Sequence, residues 1–247
     1  MTHAQQVVED VFGLYQHYGT DDYIGEPVSQ IEHMSQAAQL ALAEGYDDEV
    51  VLAAFFHDIG HFCGKDAQNM GGYGVVSHER VGADYLRRAG FSERLARLVE
   101  YHVQAKRYLT LRQPGYYALL SEASIRTLGY QGGVMSEAEA DAFEQDPLCQ
   151  LSLRMRVWDE QAKAMHVPVI DLHILKAKAL RLRLAKQRGV AAYVIFPDRS
   201  LIDMASKKPL TKWDFAEMHG VGQAKLEQFG AVFMEEIRGF VRGGAHT

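Results

Sequence analysis

Only two cysteines, Cys63 and Cys149, occur among the 247 residues. That is too few for a disulfide framework, and a reduced compartment is expected. Long apolar runs are missing as well: none approaches the roughly 20 residues that a membrane span needs. The opening Met1-Thr2-His3-Ala4-Gln5-Gln6 lacks the basic and apolar regions of a secretory signal. A cytoplasmic chain with no membrane segment is therefore expected. No convincing strand is seen anywhere, and the whole chain reads as all-α.

What the chain does have is a succession of helical patterns. Residues 4–18 repeat Val7, Val8, Val11, Phe12 and Tyr15 at helical spacing. Residues 28–44 form a second helix carrying His33, with Pro27 at or just before its first turn and Gly45 closing it. Asp47-Asp48 caps a third, the apolar run Val50 to Phe56 that delivers His57-Asp58 into an interior. Residues 64–77 are loop-like, and the glycines of Met70-Gly71-Gly72-Tyr73-Gly74 could let backbone approach a ligand. Ser77 is expected to cap a helix running through His78 to Arg88, and Ser92 starts another that carries His102 and Lys106. One helix is expected over 116–128. Ser136-Glu137-Ala138-Glu139 resembles a capping box, and the helix over 148–163 carries Arg156 and Asp159.

Val167-Pro168-Val169 marks a boundary, which sets the expected domains at 1–167 and 172–247. Charge divides the same way. Residues 171–247 hold 13 Lys and Arg against 8 Asp and Glu, whereas the remainder holds 13 against 24. Opposite signs suggest two units with different tasks. The second opens on a helix bearing Lys176, Lys178, Arg181, Arg183, Lys186 and Arg188. A short apolar link, 192–197, follows it. Asp198 or Ser200 caps the next helix, and Gly220-Val221-Gly222 opens the last.

Six side chains stand out in chain order: His33, His57, Asp58, His78, His102 and Asp159, each on a predicted helix. Imidazole and carboxylate are ligands of iron, manganese or zinc. Asp58 has two oxygens and can bridge two cations. Four imidazoles and two carboxylates for two metals leave coordination positions open, as catalytic metals need.

That order resembles the HD-domain superfamily in its binuclear form, and within it the mixed-valent di-iron oxygenases that cleave organophosphonates. Over about 20–165 the resemblance is carried by Asp22-Tyr23-Ile24-Gly25-Glu26, Gln30-x-Glu32-His33, His57-Asp58-x-Gly60-His61, the glycine loop, His78-Glu79-x-Val81-Gly82, His102-x-x-Ala105-Lys106-Arg107, Tyr130-Gln131-Gly132-Gly133 and Trp158-Asp159-Glu160. It implies an HD-domain helical bundle holding two iron ions in a mixed Fe(II)/Fe(III) state. One iron would take His33, His57, Asp58 and Asp159; the other would share Asp58 and take His78 and His102. Tyr23 would occupy the second iron at rest and leave when substrate arrives, and Glu26 would pair with Tyr23 or with a substrate amino group. His61, Lys106, Ser124, Thr127 and Arg156 would meet a phosphonate dianion, which wants charge-assisted donors.

The reaction so implied consumes O2 and breaks the C–P bond of a 1-hydroxyphosphonate, converting (R)-2-amino-1-hydroxyethylphosphonate to glycine and phosphate. The trimethylammonium analogue, giving glycine betaine, is the alternative substrate. A metal phosphohydrolase acting on nucleotides or nucleic acid is the competing enzyme class, and a regulatory binding protein the non-enzymatic one.

Residues 172–242 resemble an HRDC domain through Tyr193-Val194-Ile195-Phe196-x-Asp198, Pro209-Leu210-Thr211 and Gly220-Val221-Gly222-x-x-Lys225-Leu226. The resemblance implies a small helical module for auxiliary nucleic-acid or protein contact. The basic first helix would allow weak phosphate-backbone contact. A structural or interaction unit is the stronger expectation, since no nucleic-acid chemistry accompanies a phosphonate oxygenase.

Overall fold

The computed structural model describes residues 1–23, 25–63 and 68–243. Ile24 of the resemblance motif, the first part of the expected 64–77 loop, and the last four residues of the expected second domain lie outside them. The described residues contain no β-strand, only isolated bridges at Asp22–Ser29 and Asn69–Val75. The chain is all-α.

It divides into two compact units. One is Leu14–Ile170; the other joins Met1–Gly13 to Asp171–Thr247. The first helix, α1 (His3–Tyr18), thus contributes to both, which differs from the expected division at 1–167.

In the unit Leu14–Ile170 the helices are α2 (Gln30–Ala43), α3 (Asp48–Phe56), α4 (Gly60–Cys63), α5 (His78–Arg88), α6 (Glu93–Arg112), α7 (Tyr116–Leu119), α8 (Glu122–Tyr130), α9 (Glu137–Glu144) and α10 (Cys149–Gln161). α3 is apolar all round, and its residues from Val50 to Phe56 are all buried, as expected of a central helix. It packs on α2 and α6, and α10 packs on both of those. Tyr15 stacks on Phe55 with ring centroids 4.4 Å apart and donates its hydroxyl to the Phe55 carbonyl at 3.1 Å.

Caps fix where these helices begin. Asp47 accepts from Val50 N, Ser92 from Leu95 N, and both Ser29–Glu32 and Ser136–Glu139 close full capping boxes. Two expectations are corrected. The segment 116–128 is not one helix: Leu120 turns extended, and Ser121 caps a second start by accepting from Ser124 N. Ser77 does precede α5, but it sits at φ 55° with no side-chain cap.

The other unit contains α11 (Leu172–Arg188), α12 (Ala192–Ile195), α13 (Asp198–Lys207), α14 (Lys212–Ala216), α15 (Gln223–Lys225) and α16 (Ala231–Gly243). A π-helical turn, Leu226–Gly230, joins the last two. The apolar link expected at 192–197 is largely α12. Phe196 centres the core, 5.0 Å from Phe233, 5.8 Å from Phe229 and 6.1 Å from Phe215 between ring centroids. Pro197 precedes α13, so neither Asp198 nor Ser200 caps it.

Most of the α11 cations are less accessible than the sequence suggests. Lys176, Lys178, Arg181 and Arg183 are buried. Lys176 Nζ meets both oxygens of Glu9, at 2.8 and 3.0 Å, and Arg181 donates to the Phe196 carbonyl at 2.6 Å and pairs with Asp198. Lys176, Lys178 and Arg181 face acids of their own unit; Lys186 and Arg188, at the end of the helix, are the exposed ones.

Candidate metal centre and cavity

The apolar helix α3 ends at Phe56, so His57 and Asp58 lie in the turn after it and not on a helix as expected, and Asp58 stands between four imidazoles. Asp58 Oδ2 lies 3.5 Å from His57 Nε2 and 3.8 Å from His33 Nε2. Its Oδ1 lies 3.1 Å from His78 Nε2 and 3.4 Å from His102 Nε2. Asp159 Oδ1 completes the first side, 3.4 Å from His33 and 4.0 Å from His57. All six residues are buried. Either group, His33 with His57 and Asp58 or Asp58 with His78 and His102, could hold a cation.

The hydrogen bonds around these rings fit metal binding. His33 Nδ1 donates to the Ala162 carbonyl at 2.9 Å and His57 Nδ1 to the Ala54 carbonyl at 2.8 Å. A carbonyl only accepts, so each Nδ1 carries a proton, and each ring turns its Nε2 toward the other. Those two Nε2 atoms stand 3.0 Å apart. Two ring nitrogens facing each other at that distance need a metal ion or a shared proton between them. Donors at right angles on a metal with bonds of about 2.1 Å sit about 3.0 Å apart. His102 Nδ1 likewise donates to the Val99 carbonyl at 2.6 Å, and its Nε2 is 3.1 Å from that of His78. Electrostatics agree. Burial opposes a charged His57, yet Asp58 and Asp159 push it up to about 9. Burial also opposes the Asp58 and Asp159 carboxylates, but His57 beside Asp58 and Arg156 beside Asp159 hold both well below the usual range. The cluster attracts positive charge.

A cavity of about 330 Å³ adjoins it. Asp58, His78, His102 and Asp159 border this space; His33 and His57 do not. Its wall also includes Tyr23, Glu26, His61, Lys106, Ser124, Thr127 and Arg156, so the structure gathers every expected substrate-facing residue around one space. Lys106 Nζ donates to Thr127 Oγ1 at 3.1 Å. Burial, with Arg156 nearby, lowers Lys106 to about 7. His61 accepts the Val75 N–H at Nδ1, 3.1 Å away, and burial next to His78 lowers it to about 3. Its ring is neutral, so Nε2 carries the proton and is a donor. The glycine loop makes this approach: Gly74 has φ +98°, and a Cβ there would lie 2.5 Å from His61 Cε1.

Arg156 is held by residues the motifs gave no role. Its Nε donates to Tyr116 Oη at 2.9 Å and to Glu160 Oε1 at 3.0 Å, while Nη1 pairs with Asp159. Nη2 is buried without a partner. Glu160 stood inside the Trp158-Asp159-Glu160 motif; Tyr116 carried no signal. Two expectations shift in detail. The Tyr23 ring lies flat on His33, centroids 4.1 Å apart, hence against the first group. Burial and Asp58 raise its phenol well above the usual value, so it keeps its proton. The Glu26 carboxylate pairs with Lys163, a residue outside every motif.

A buried His-Asp pair presented by a helical core beside further histidines defines an HD-domain protein. Residues 31–131 match the HD domain, and residues 175–237 match the HRDC domain. The chain is 44% identical over 162 residues to uncharacterized protein L432 of Acanthamoeba polyphaga mimivirus, covering 65% of this chain and 74% of that one. It is 39% identical over 173 residues to a [1-hydroxy-2-(trimethylamino)ethyl]phosphonate dioxygenase (glycine-betaine-forming) of Leisingera caerulea, covering 67% and 84%. Against a hydroxymethylphosphonate dioxygenase of Gimesia maris, identity is 40% over 167 residues, covering 67% and 82%. The chain belongs to the HD-domain family that contains these phosphonate dioxygenases. No described helix is long and apolar enough to cross a membrane.

Proposed function

We propose that this protein is a di-iron oxygenase that cleaves the C–P bond of a 1-hydroxyphosphonate, with (R)-2-amino-1-hydroxyethylphosphonate and O2 giving glycine and phosphate. The observation that carries the reading is the single carboxylate, Asp58, shared by two donor groups of which one borders a cavity rich in anion-directed donors. The relatives' names supply the reaction type. His33, His57, Asp58 and Asp159 would hold one iron; Asp58, His78 and His102 would hold the other. When bound, a mixed-valent iron pair supplies the redox chemistry toward O2 that zinc lacks.

The chain's own residues bind and orient. His61 Nε2–H, the Lys106 ammonium, the Ser124 and Thr127 hydroxyls and Arg156 Nη2 are donors for the phosphonate oxygens. Tyr116 and Glu160 fix the Arg156 guanidinium so that Nη2 is the arm left for substrate. The protonated Tyr23 phenol covers the centre from the segment that precedes α2. Holding the phosphonate among these donors would set C1 and its hydroxyl toward the His78 and His102 side, where these residues would hold the second iron.

O2 uptake and phosphate release by the iron-loaded protein test the reading, with (R)-2-amino-1-hydroxyethylphosphonate, its trimethylammonium analogue and hydroxymethylphosphonate run side by side. One phosphate per O2 from any of the three is expected, and the fastest names the substrate. No O2 uptake with all three, together with hydrolysis of a nucleotide or phosphodiester, would replace it with the phosphohydrolase.

Lys106 adds a pH dependence. Its amine is charged below about 7 and neutral above, and only the ammonium is a charge-assisted donor. KM for the phosphonate is expected to rise about fivefold between pH 7 and 8. Lys106→Arg should flatten that rise, because its guanidinium stays charged. Identical KM–pH profiles for the two proteins would remove Lys106 from phosphonate binding.

A further inference from the structure

The cavity wall is chemically divided. Helices α6, α8 and α10 contribute donors: Lys106, Ser124, Thr127 and Arg156. The segment 21–30 contributes acceptors: the carboxylates of Asp21, Asp22 and Glu26, and Gln30, whose Oε1 is buried without a partner. A ligand with an anionic end and a cationic end matches such a wall. The acceptor side nevertheless already holds a cation. Lys163 Nζ pairs with Glu26 Oε1, the two side chains being 20% and 10% exposed. Lys163 follows directly on Ala162, the residue that receives the His33 hydrogen bond.

We infer that Lys163 determines specificity: its ammonium occupies Glu26 in the substrate-free protein, and a phosphonate bearing an amino group binds by taking its place. Two ammonium groups cannot share one poorly hydrated carboxylate without repulsion. Glu26 is held in the wall, whereas the long, more exposed Lys163 side chain can swing its head into water. Lys163 therefore sets a threshold. A substrate ammonium must outcompete a tethered cation, while a phosphonate with no cation leaves the Glu26–Lys163 pair intact and meets a neutralised wall. Specificity arises from the resident competitor as much as from new contacts.

This inference rests on the phosphonate reading, and the test separates the two. Two phosphonates of the same chain length that differ only by the ammonium, 2-aminoethylphosphonate and ethylphosphonate, are titrated calorimetrically into the iron-loaded wild type, Lys163→Met and Lys163→Arg. In Lys163→Met, 2-aminoethylphosphonate should bind about tenfold more tightly, because Glu26 is freed. Ethylphosphonate should bind several-fold more weakly, because the uncompensated carboxylate repels it. Lys163→Arg, which keeps the cation, should resemble the wild type and controls for folding. Shifts in one direction for both ligands, or under twofold for both, would overturn the role of Lys163 and leave phosphonate binding standing. If no protein of the three binds either ligand, the phosphonate reading fails and the inference falls with it.

Discussion

Asp58→Ala is expected to strip the protein of both metals and to lower turnover by at least about a thousandfold. The reasoning is geometric. One carboxylate places Oδ2 among His33, His57 and Asp159 and Oδ1 between His78 and His102, with oxygen–nitrogen distances of 3.1 to 3.8 Å. Without it the second group keeps only two imidazoles, and the first loses the ligand that ties it to the second. Asp159→Ala should behave differently. It touches the first group alone, so about one metal per chain should remain on Asp58, His78 and His102. Metal analysis after dialysis against a weak chelator reads both outcomes. Asp58 also balances His57 in the metal-free protein, and removing one partner of a buried charged pair costs about 3–5 kcal/mol. The melting temperature of the chelated Asp58→Ala protein should fall accordingly. Retention of two metals by Asp58→Ala would refute the bridging role.

The contrast between Ser136 and Lys163 shows what a linear reading reaches. Ser136 and Glu139 are three residues apart, and their reciprocal hydrogen bonds follow from local backbone geometry, so the start of α9 is legible. The same holds for Asp47, Ser92 and the apolar helix α3. The six His and Asp residues stand in a spaced order along the helical pattern; His33, His78, His102 and Asp159 fall on helices, His57 and Asp58 in the turn after α3, and the fold brings all six together. Lys163 and Glu26 are 137 residues apart, and Lys176 and Glu9 are 167 apart. Nothing in either neighbourhood indicates the partner, so neither the Lys163–Glu26 pair nor the burial of Lys176 is legible in the sequence. The cap at Ser121 is illegible for a different reason. An N-cap serine inside an apolar stretch looks like one polar position on a helix until Leu120 is seen to turn extended. Tyr116 carries no local signal, and only its hydroxyl contact with Arg156 gives it a place beside the site.

Gly60→Ala is expected to be the most damaging change of a residue that offers the metal no ligand. Within His57-Asp58-x-Gly60-His61 the glycine looks like a spacer. In the fold it is where α4 and α5 touch backbone to backbone. A Cβ on Gly60 would lie 1.8 Å from the His78 carbonyl oxygen, 2.6 Å from its carbon and 2.9 Å from Gly82 N. Gly82 shares the contact, since its own Cβ would fall 3.0 Å from Gly60 N. None of the clashing atoms belongs to a flexible side chain. Relief requires α5 to move as a body, and His78 is its first residue. Such a shift breaks the 3.1 Å approaches of His78 Nε2 to Asp58 and to His102. Overpacking against backbone costs about 3 kcal/mol or more, about 6–12 °C in melting temperature for a chain of this size. Metal content should fall toward one per chain, because His33, His57 and Asp159 lie on α2, the end of α3 and α10. Gly13→Ala is the matched control. Gly13 lies inside α1 with nothing within 4 Å of its Cβ position, so alanine there should be neutral or stabilise by about 0.5–1 kcal/mol. A Gly60→Ala protein that melts with the wild type and keeps both metals would show that α5 does not depend on this contact to place His78.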